Sequence, residues 1–506
     1  MQQIPHPDAG DNHDLEQFGY KPQLTRTMKG FSSFAAGFSY LSVMSGMFQL
    51  FAFGFGLAGP MMWWSWLAVF AGMLLVALCF AELSAKYPIA GSVYSWATRQ
   101  GSEAWGWMTG WIMLFASIVT VAGVAVAWQI SLPAISPVFQ FVGDGTGPND
   151  FAENAVVLGT ILLVLITVAN VLGVKVMSKA NNFGVLAEMI GVSIFIGLLL
   201  AHAQRSPEVV ANPVGLPDAS HLGVMGALLV AAIVPGWVMF GFDTAGALAE
   251  ETKDPRRRAP RAILTALAAG GGAGLLLMLF ALLAAPDLNN PDVASQGLAY
   301  IVQETLGPAL GKALLVFVVI STGAGALAIQ TATIRFMFAM ARDNKLPFSR
   351  WIGRVSEKTE TPANAALVVA AIVEVILLST ANQPAIFTVL TSVSVVLIYL
   401  AYAMAVAAQL RRRLKEGRQT TPTKYFNMGK WGLPVNIAAL LFLVLGAINF
   451  VWPREEIYGK DAYQYGGLIV VAAVIGIGLI YRKFGRPARV AVEADDDSDL
   501  ALEGRP

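Results

Sequence analysis

Long apolar stretches separated by short polar loops fill this chain from about residue 31 onward. A window of about 19 residues finds twelve stretches, each able to cross about 30 Å of hydrocarbon as a helix. They lie near 31–56, 62–83, 104–130, 154–174, 183–203, 224–250, 261–285, 308–338, 363–380, 384–408, 433–452 and 464–481. The pattern therefore predicts an all-α integral membrane protein with twelve transmembrane helices.

Two stretches, the first and the sixth, are interrupted midway by small and polar residues. The interruptions read Ser-Val-Met-Ser-Gly at 42–46 and Gly-Phe-Asp-Thr-Ala-Gly at 241–246. Unwound backbone inside a bilayer is tolerated only where it is buried in protein or lines a cavity. Interruptions at corresponding places in two halves of a chain indicate a shared binding site near the bilayer midplane. This arrangement is typical of secondary transporters.

The first interruption is expected to offer an anion site. We expect the helix to end near Ser42 and to restart near Gly46. The amides that open the second half then lack intrahelical acceptors and carry the positive end of the helix dipole, which suits a carboxylate. These amides belong to Ser45, Gly46 and Met47, and Ser42, where the first half ends, is also predicted to bind substrate. An ordinary kink or a close-packing glycine is the alternative that the interruption alone leaves open.

The second interruption is expected to have the opposite polarity. If the span opens near Gly241, the carbonyls of the preceding turn face the same cavity as the negative end of a half-helix. They belong to Trp237, Val238 and Phe240, and they suit an ammonium group. Gly241 itself is also predicted to bind substrate. The two interruptions together predict a site for a zwitterion, with an ordinary kink at Gly241 as the alternative.

Composition and charge support a membrane protein, because 56% of the residues are hydrophobic and 13% are charged. Lys and Arg concentrate in alternate loops, which the positive-inside rule assigns to the cytoplasm. The basic residues assigned to that side include Lys21, Arg26, Lys29, Lys175, Lys179, Arg256, Arg257, Arg258, Arg261, Arg411, Arg412 and Arg413. Both termini are therefore predicted to be cytoplasmic.

Motifs of enzymes and metal sites are absent from the sequence. It has no Gly-x-x-x-x-Gly-Lys-Ser/Thr, no His-Glu-x-x-His and no Gly-x-Ser-x-Gly. Its four histidines lie in the N-terminal tail or at the outer ends of spans, and its single cysteine, Cys79, excludes an intramolecular disulfide. We expect no enzyme activity, no cofactor, no metal and no nucleic-acid partner.

Ionisable residues inside spans are candidates for function, because a charge there costs at least about 2.5–3.5 kcal/mol. Glu188 lies in the fifth span. Asp243 lies in the second interruption, where we expect its side chain to cap the restarting helix. Glu374, in the ninth span, has no evident partner in the sequence.

Charges also mark the predicted cytoplasmic ends of spans six and eight. Glu250 and Glu251 end the sixth span, and we expect them to form ion pairs with basic loop residues that close the cytoplasmic side. Solvated surface charge is the alternative. Arg335, near the inner end of the eighth span, is a candidate for gating or for setting topology.

Three segments, in order along the chain, carry a family resemblance. They are Ala-Glu-Leu-Ser-Ala-Lys-Tyr-Pro-Ile-Ala-Gly-Ser-Val-Tyr (81–94) with Gly-Trp-Met-Thr-Gly-Trp (106–111), Gly-Phe-Asp-Thr-Ala-Gly-Ala-Leu-Ala-Glu-Glu-Thr-Lys-Asp-Pro-Arg-Arg-Arg-Ala-Pro (241–260), and Arg-Phe-Met-Phe-Ala-Met-Ala-Arg-Asp-Asn-Lys-Leu-Pro (335–347). They resemble the amino acid–polyamine–organocation (APC) superfamily of permeases, and most closely its amino acid/choline transporter branch.

The resemblance implies a LeuT-type five-plus-five inverted repeat with broken helices 1 and 6, and alternating access around one site. The implied parts are a cytoplasmic tail (1–30), a transport core (31–410, with helices 1–5 at about 31–205 and helices 6–10 at about 222–410), a basic cytoplasmic loop (411–432), helices 11 and 12 (433–484) and a cytoplasmic tail (485–506).

The resemblance also implies roles for individual residues. Ser45, Gly46 and Met47 match the segment whose amides hold the substrate carboxylate. Met44 replaces the leading glycine of the family's usual Gly-Ser-Gly and crowds the turn. Trp237 matches an aromatic residue that closes over bound substrate, with packing in the core as the alternative.

Glu188 matches the position where proton-coupled relatives carry a lysine in place of a sodium ion. A carboxylate cannot act as that fixed cation. We therefore expect Glu188 to gain and lose a proton as the cavity opens, with a role as counter-ion of a cationic substrate as an alternative. A hydrogen-bonded core acid is the structural alternative.

The sequence thus predicts a plasma-membrane permease for an amino acid or small amine, such as γ-aminobutyrate, an α-amino acid, choline or ethanolamine. Its expected partners are that small molecule, a proton and the lipid bilayer. Symport with a proton is the favoured mechanism. Uniport, exchange, and a transporter-like sensor that binds without transport are alternatives, and the sequence does not indicate an oligomeric state.

Overall fold

The computed structural model describes residues 26–211, 223–382, 386–416, 424–458 and 461–485, together with Leu15, Gln17, Phe18 and Leu24. Most of the two predicted tails and part of the predicted basic loop lie outside the described residues. Within the described ranges the chain is almost wholly helical, and an isolated parallel bridge between Met28 and Thr252 is the only strand-like pairing.

The helices are numbered in chain order. The first group ends at residue 201 and the second begins at residue 223. The first group is α1 Gly30–Leu41, α2 Val43–Ala58, α3 Met62–Lys86, α4 Ser92–Gln100, α5 Glu103–Ala125, α6 Trp128–Ile135, α7 Asp150–Val171 and α8 Val174–Ala201. The second group is α9 Gly223–Ala231, α10 Ile233–Val238, α11 Thr244–Ala247, α12 Pro255–Ala284, α13 Pro291–Gln296, α14 Leu298–Leu306, α15 Pro308–Arg342, α16 Ser349–Ile352, α17 Ala363–Ser379, α18 Ile386–Glu416, α19 Gly432–Val451, α20 Glu455–Tyr458 and α21 Gly466–Phe484.

Nine helical segments among the described residues are long and apolar enough to cross a membrane. The first of them, Gly30–Lys86, covers two predicted spans, which a short 3-10 turn at Gly59–Met61 separates. Two shorter apolar helices lie in the remaining predicted spans: Gly223–Val238 covers the first part of the sixth, and Ala363–Ser379 covers most of the ninth. A multi-pass, all-helical membrane protein is therefore supported, whereas the count of twelve spans stays a prediction.

The first predicted interruption is a break of one residue. Helix α1 ends at Leu41 and α2 begins at Val43, because Ser42 adopts a left-handed conformation with φ of 36° and ψ of 70°. Such a conformation is uncommon for a residue other than glycine. The Ser42 amide still donates to the Phe38 carbonyl at 3.1 Å, and the Ser42 carbonyl accepts from the Gly46 amide at 2.9 Å.

The second interruption is wider. Helix α10 ends at Val238, and regular helix resumes only at Thr244. Gly241 has a φ of 89°, and a Cβ atom there would lie 1.8 Å from Cδ1 of the Tyr40 ring. Only glycine fits this turn, because both the backbone conformation and the contact with α1 exclude a side chain.

The broken helices lie in the interior of the bundle. Helix α1 packs against α8, α12 and α15, and α10 packs against α2 and α18. Burial differs among the spans when the most apolar 18-residue segment of each is compared. In Glu103–Ile135 and in Thr388–Glu416, 89% of that segment is buried. In Gly429–Val451 and Gly466–Phe484 the buried share is only 22% and 17%. The last two spans therefore lie at the periphery, and the two breaks lie within the first ten predicted spans.

Candidate substrate site between the two broken helices

A small cavity of about 10 Å³ lies beside both breaks. Its lining residues are Tyr40, Leu41, Ser42, Ser45, Gly46, Thr120, Val124, Trp237, Phe240 and Ile329. Five of the residues predicted to bind substrate, Ser42, Ser45, Gly46, Trp237 and Phe240, are therefore brought together. The volume suits about one water molecule, so an amino acid can enter only if a lining side chain moves.

Aromatic rings enclose the cavity from one side. Trp237 and Phe240 pack edge to face with ring centroids 5.5 Å apart, and Phe240 packs in the same way against Tyr40 at 6.0 Å. A Cβ atom at Gly123 of α5 would lie 3.1 Å from the outer edge of the Trp237 ring. Trp237 is 6% exposed, so its ring is buried among the side chains that line the cavity.

The two breaks touch each other at Gly46. A Cβ atom there would lie 2.4 Å from Cγ2 of Val238, which explains why this position in α2 is a glycine. Val238 thus belongs to the contact between the breaks and lies behind the cavity lining. Gly46 therefore packs closely against Val238 and also lines the cavity.

The amides that the first break exposes differ from the prediction. Because the break is confined to Ser42, the first turn of α2 consists of Val43, Met44 and Ser45. The Gly46 amide already donates to the Ser42 carbonyl, and Met47 lies one residue deeper in the helix. The prediction that the Gly46 and Met47 amides are free was wrong, whereas Ser45 does lie in the open turn.

Glu188 occupies the open end of α2. The Met44 amide donates to Oε1 of Glu188 at 3.2 Å, and the carboxyl group, which comes from α8, is 0% exposed. Its Oε2 is buried and makes no hydrogen bond of normal geometry to any residue in the described part of the chain. A helix N-terminus stabilises an anion, so the acid sits where the sequence reasoning placed the substrate carboxylate.

Hydroxyl groups from α15 complete this end of the site. The Ser42 and Ser321 hydroxyl oxygens lie 3.0 Å apart, and both groups adjoin the Glu188 carboxyl. The Thr322 hydroxyl donates to Ser45 Oγ at 3.0 Å. The sequence reasoning missed Ser321 and Thr322. Their signal is an adjacent pair of hydroxyl residues in the apolar eighth span.

Asp243 does not cap the helix that follows it. No cap hydrogen bond forms from its side chain, so that prediction was wrong. Its carboxylate instead accepts hydrogen bonds from the Ser92 hydroxyl, at 2.6 Å, and from the Tyr402 hydroxyl. Tyr402 also accepts from the Gly241 amide at 2.9 Å. Ser92 of α4 and Tyr402 of α18 thus hold Asp243, and with it the second break, in place.

Two buried ion pairs tie the chain after the second break to α15. Arg342 donates to both carboxylate oxygens of Glu250 at 2.9 and 3.0 Å, and Glu250 also accepts from the Ala90 amide at 2.9 Å. Arg335 pairs with Glu251 at 2.8 Å, and neither side chain is more than 1% exposed. The expected ion pairs exist, but their partners lie in α15 and not in a loop. Burial also excludes the solvated alternative.

Other acids lie apart from the site. Glu374 of α17 accepts a hydrogen bond from the Thr160 hydroxyl at 2.9 Å, which supplies the partner that the sequence did not reveal. Among the residues that the structure describes, no group of three or more His, Cys, Asp or Glu side chains is arranged to hold a metal ion.

Comparisons with known proteins agree on one family. The amino acid permease family model matches residues 29–482 of the chain. The amino-acid permease BAT1 of Arabidopsis thaliana is 25% identical over 95% of both chains, and its homolog in rice is 26% identical over 90% of this chain and 91% of that one. The thiamine transporter thi9 of Schizosaccharomyces pombe is 26% identical over 93% of this chain and 86% of its own.

Proposed function

Since the chain belongs to the amino acid permease family of the APC superfamily, we propose that it is a proton-coupled transporter of an amino acid or small amine. Substrate binds between the two breaks, and alternating access exposes that site to each side of the membrane in turn. The observation that carries the proposal is the Glu188 carboxyl on the first turn of α2, beside a cavity that both breaks line.

The coupling follows from competition for one helix terminus. A substrate carboxylate at the first turn of α2 lies next to Glu188, and two carboxylates about 4 Å apart repel by about 4 kcal/mol at an effective dielectric constant of about 20. Protonation of Glu188 removes this repulsion. A zwitterionic substrate and a proton therefore bind together, and they leave together when the cavity opens to the other side.

The chemistry of the substrate decides the sign of this coupling. A zwitterion binds best when Glu188 is protonated. An amine without a carboxylate binds best when Glu188 is ionised, because the carboxylate then balances its charge. The proposal favours the zwitterion, because α2 presents a positive helix end to the cavity. Because one relative is a thiamine transporter, cationic amines are included in the test.

Alternating access requires both sides of the site to open and close. The Glu250–Arg342 and Glu251–Arg335 ion pairs support the proposal that the predicted cytoplasmic side is closed in this conformation. We further propose a five-plus-five inverted repeat for the first ten spans. We also propose that the protein lies in the plasma membrane, and the charge distribution supports both termini in the cytoplasm.

Uptake into proteoliposomes tests the proposal. Purified protein is first screened by thermal shift with amino acids, γ-aminobutyrate, choline, ethanolamine and thiamine, because a ligand of the native state raises apparent stability. Uptake of each hit is then measured with and without an inward proton gradient. We expect accumulation that the gradient drives and a protonophore abolishes. Saturable binding without uptake would favour a sensor, and uptake indifferent to the gradient would favour exchange or uniport.

A further inference from the structure

A large basic cleft opens between the beginnings of α1 and α12. Its volume is about 350 Å³, within the range of sites for small ligands. The residues that define the basic cleft are Lys29, Gly30, Phe34, Arg258, Arg261, Ala262 and Thr265. It lies on the predicted cytoplasmic side, at the ends of two candidate membrane spans, far along the helices from both breaks.

No acidic residue in the described part of the chain neutralises the positive charges of the basic cleft. No acidic residue is among those that line it, and Lys29, Arg258 and Arg261 form no ion pair with any described residue. Nη1 of Arg258 is buried and has no hydrogen-bond acceptor in the described part of the chain. A buried, unpaired guanidinium nitrogen is costly, so the site lacks an acceptor that an anion can supply.

The start of α1 adds a further positive contribution. Lys29 precedes this twelve-residue helix and provides no side-chain cap for its first amides. A Cβ atom at Gly30 would meet no heavy atom within 4 Å, so the first turn is open to a ligand. Open amides at a helix N-terminus, together with three cationic side chains, match the geometry and charge of a phosphate group.

Phe34 and Ala262 form an apolar part of the wall of the basic cleft, beside Thr265. Both belong to helices that continue as candidate membrane spans. We therefore expect the hydrocarbon of the bilayer to lie close to a phosphate held at this level. Basic pockets between spans on the cytoplasmic side bind the headgroups of anionic lipids. We propose that the basic cleft binds the phosphate of an anionic membrane lipid.

Lipid binding in nanodiscs tests the proposal. The full-length protein is reconstituted with phosphatidylcholine and titrated with fluorescent phosphatidylglycerol. Arg258→Gln combined with Arg261→Gln is compared with wild type and with Lys175→Gln combined with Lys179→Gln, two exposed lysines at the start of α8. We expect the arginine pair to lose affinity by about tenfold or more, since each such charge contributes about 1 kcal/mol, and the lysine pair to bind like wild type.

Two further measurements distinguish lipid binding at this site from nonspecific electrostatic attraction and from binding of a free anion. Arg258→Lys with Arg261→Lys keeps both charges, and we expect it to retain most of the binding, which also shows that a loss in the glutamine variant is not misfolding. Inorganic phosphate at millimolar concentration should not displace the lipid. Equal loss in the two glutamine pairs, no loss in either, or displacement by inorganic phosphate alone would overturn the assignment to a lipid headgroup.

Discussion

The first break, at Ser42, and the second break, at Gly241, interrupt two helices beside the same cavity, but they hold their acids differently. At the first break the acid is Glu188, which comes from α8 and accepts one backbone hydrogen bond at 3.2 Å. At the second break the acid is Asp243, which accepts from two hydroxyl groups, those of Ser92 and Tyr402.

This difference supports the proposal that Glu188 changes its charge during transport, whereas Asp243 maintains the fold. The second oxygen of Glu188 has no hydrogen bond of normal geometry within the described residues, so protonation there disrupts little. Protonation of Asp243 would weaken the contacts that fix Gly241 through Tyr402. In the proposed mechanism the two buried acids therefore have separate roles, which their hydrogen-bond partners set.

The largest loss of stability is expected from Glu251→Gln, beyond the second break. The substitution leaves the buried Arg335 guanidinium without its carboxylate, and breaking such a pair costs about 3–5 kcal/mol. Thermal unfolding in detergent measures the effect. Glu416→Gln, which removes a surface pair with Arg412, should change stability by less than about 1 kcal/mol. Equal effects of the two substitutions would contradict a structural role for the buried pair.

Gly241→Ala should be the next most damaging change. An alanine would combine an unfavourable positive φ with a contact of 1.8 Å to Tyr40, which together cost about 2–5 kcal/mol. Gly197→Ala in α8, where a Cβ atom meets no heavy atom within 4 Å, is the matched control and should be as stable as wild type or more so. The same thermal assay decides, and an unaffected Gly241→Ala protein would refute the described turn.

A smaller loss is expected from Tyr402→Phe. It removes the hydroxyl that links Asp243 to the Gly241 amide, at a cost of about 1–3 kcal/mol. Tyr399→Phe, one turn away in α18, removes a buried hydroxyl that has no partner among the described residues and should be nearly neutral. If both variants unfold at the same temperature, the Tyr402 bridge does not stabilise the second break.

The breaks were predictable from the sequence because small and polar residues interrupt otherwise apolar spans. Their exact form was not. The left-handed conformation at Ser42 moves the open turn of α2 toward the N-terminus, so the free amides begin at Val43 and not at Ser45. Hydropathy locates such a segment to within a few residues, but it does not identify the residue whose backbone turns.

The hydrogen-bond partners of Glu188 and Asp243 could not be predicted from local sequence patterns. Met44 and Glu188 are 144 positions apart, and Asp243 and Tyr402 are 159 positions apart. The local sequence made a cap by Asp243 a reasonable expectation, but the Asp243 carboxylate accepts hydrogen bonds from Ser92 and Tyr402 instead. Only the packing of α4, α8 and α18 around the breaks decides these pairings.

The most direct test of the account is the pH dependence of substrate affinity in wild type, Glu188→Gln and Glu374→Gln. Glu374→Gln removes another acid of the membrane region, outside the site, and should behave like wild type. For a zwitterion, wild-type affinity should rise as the pH falls, and Glu188→Gln should bind tightly at every pH, since it carries no charge. A Glu188→Gln protein that keeps the wild-type pH profile would contradict Glu188 as the coupling acid.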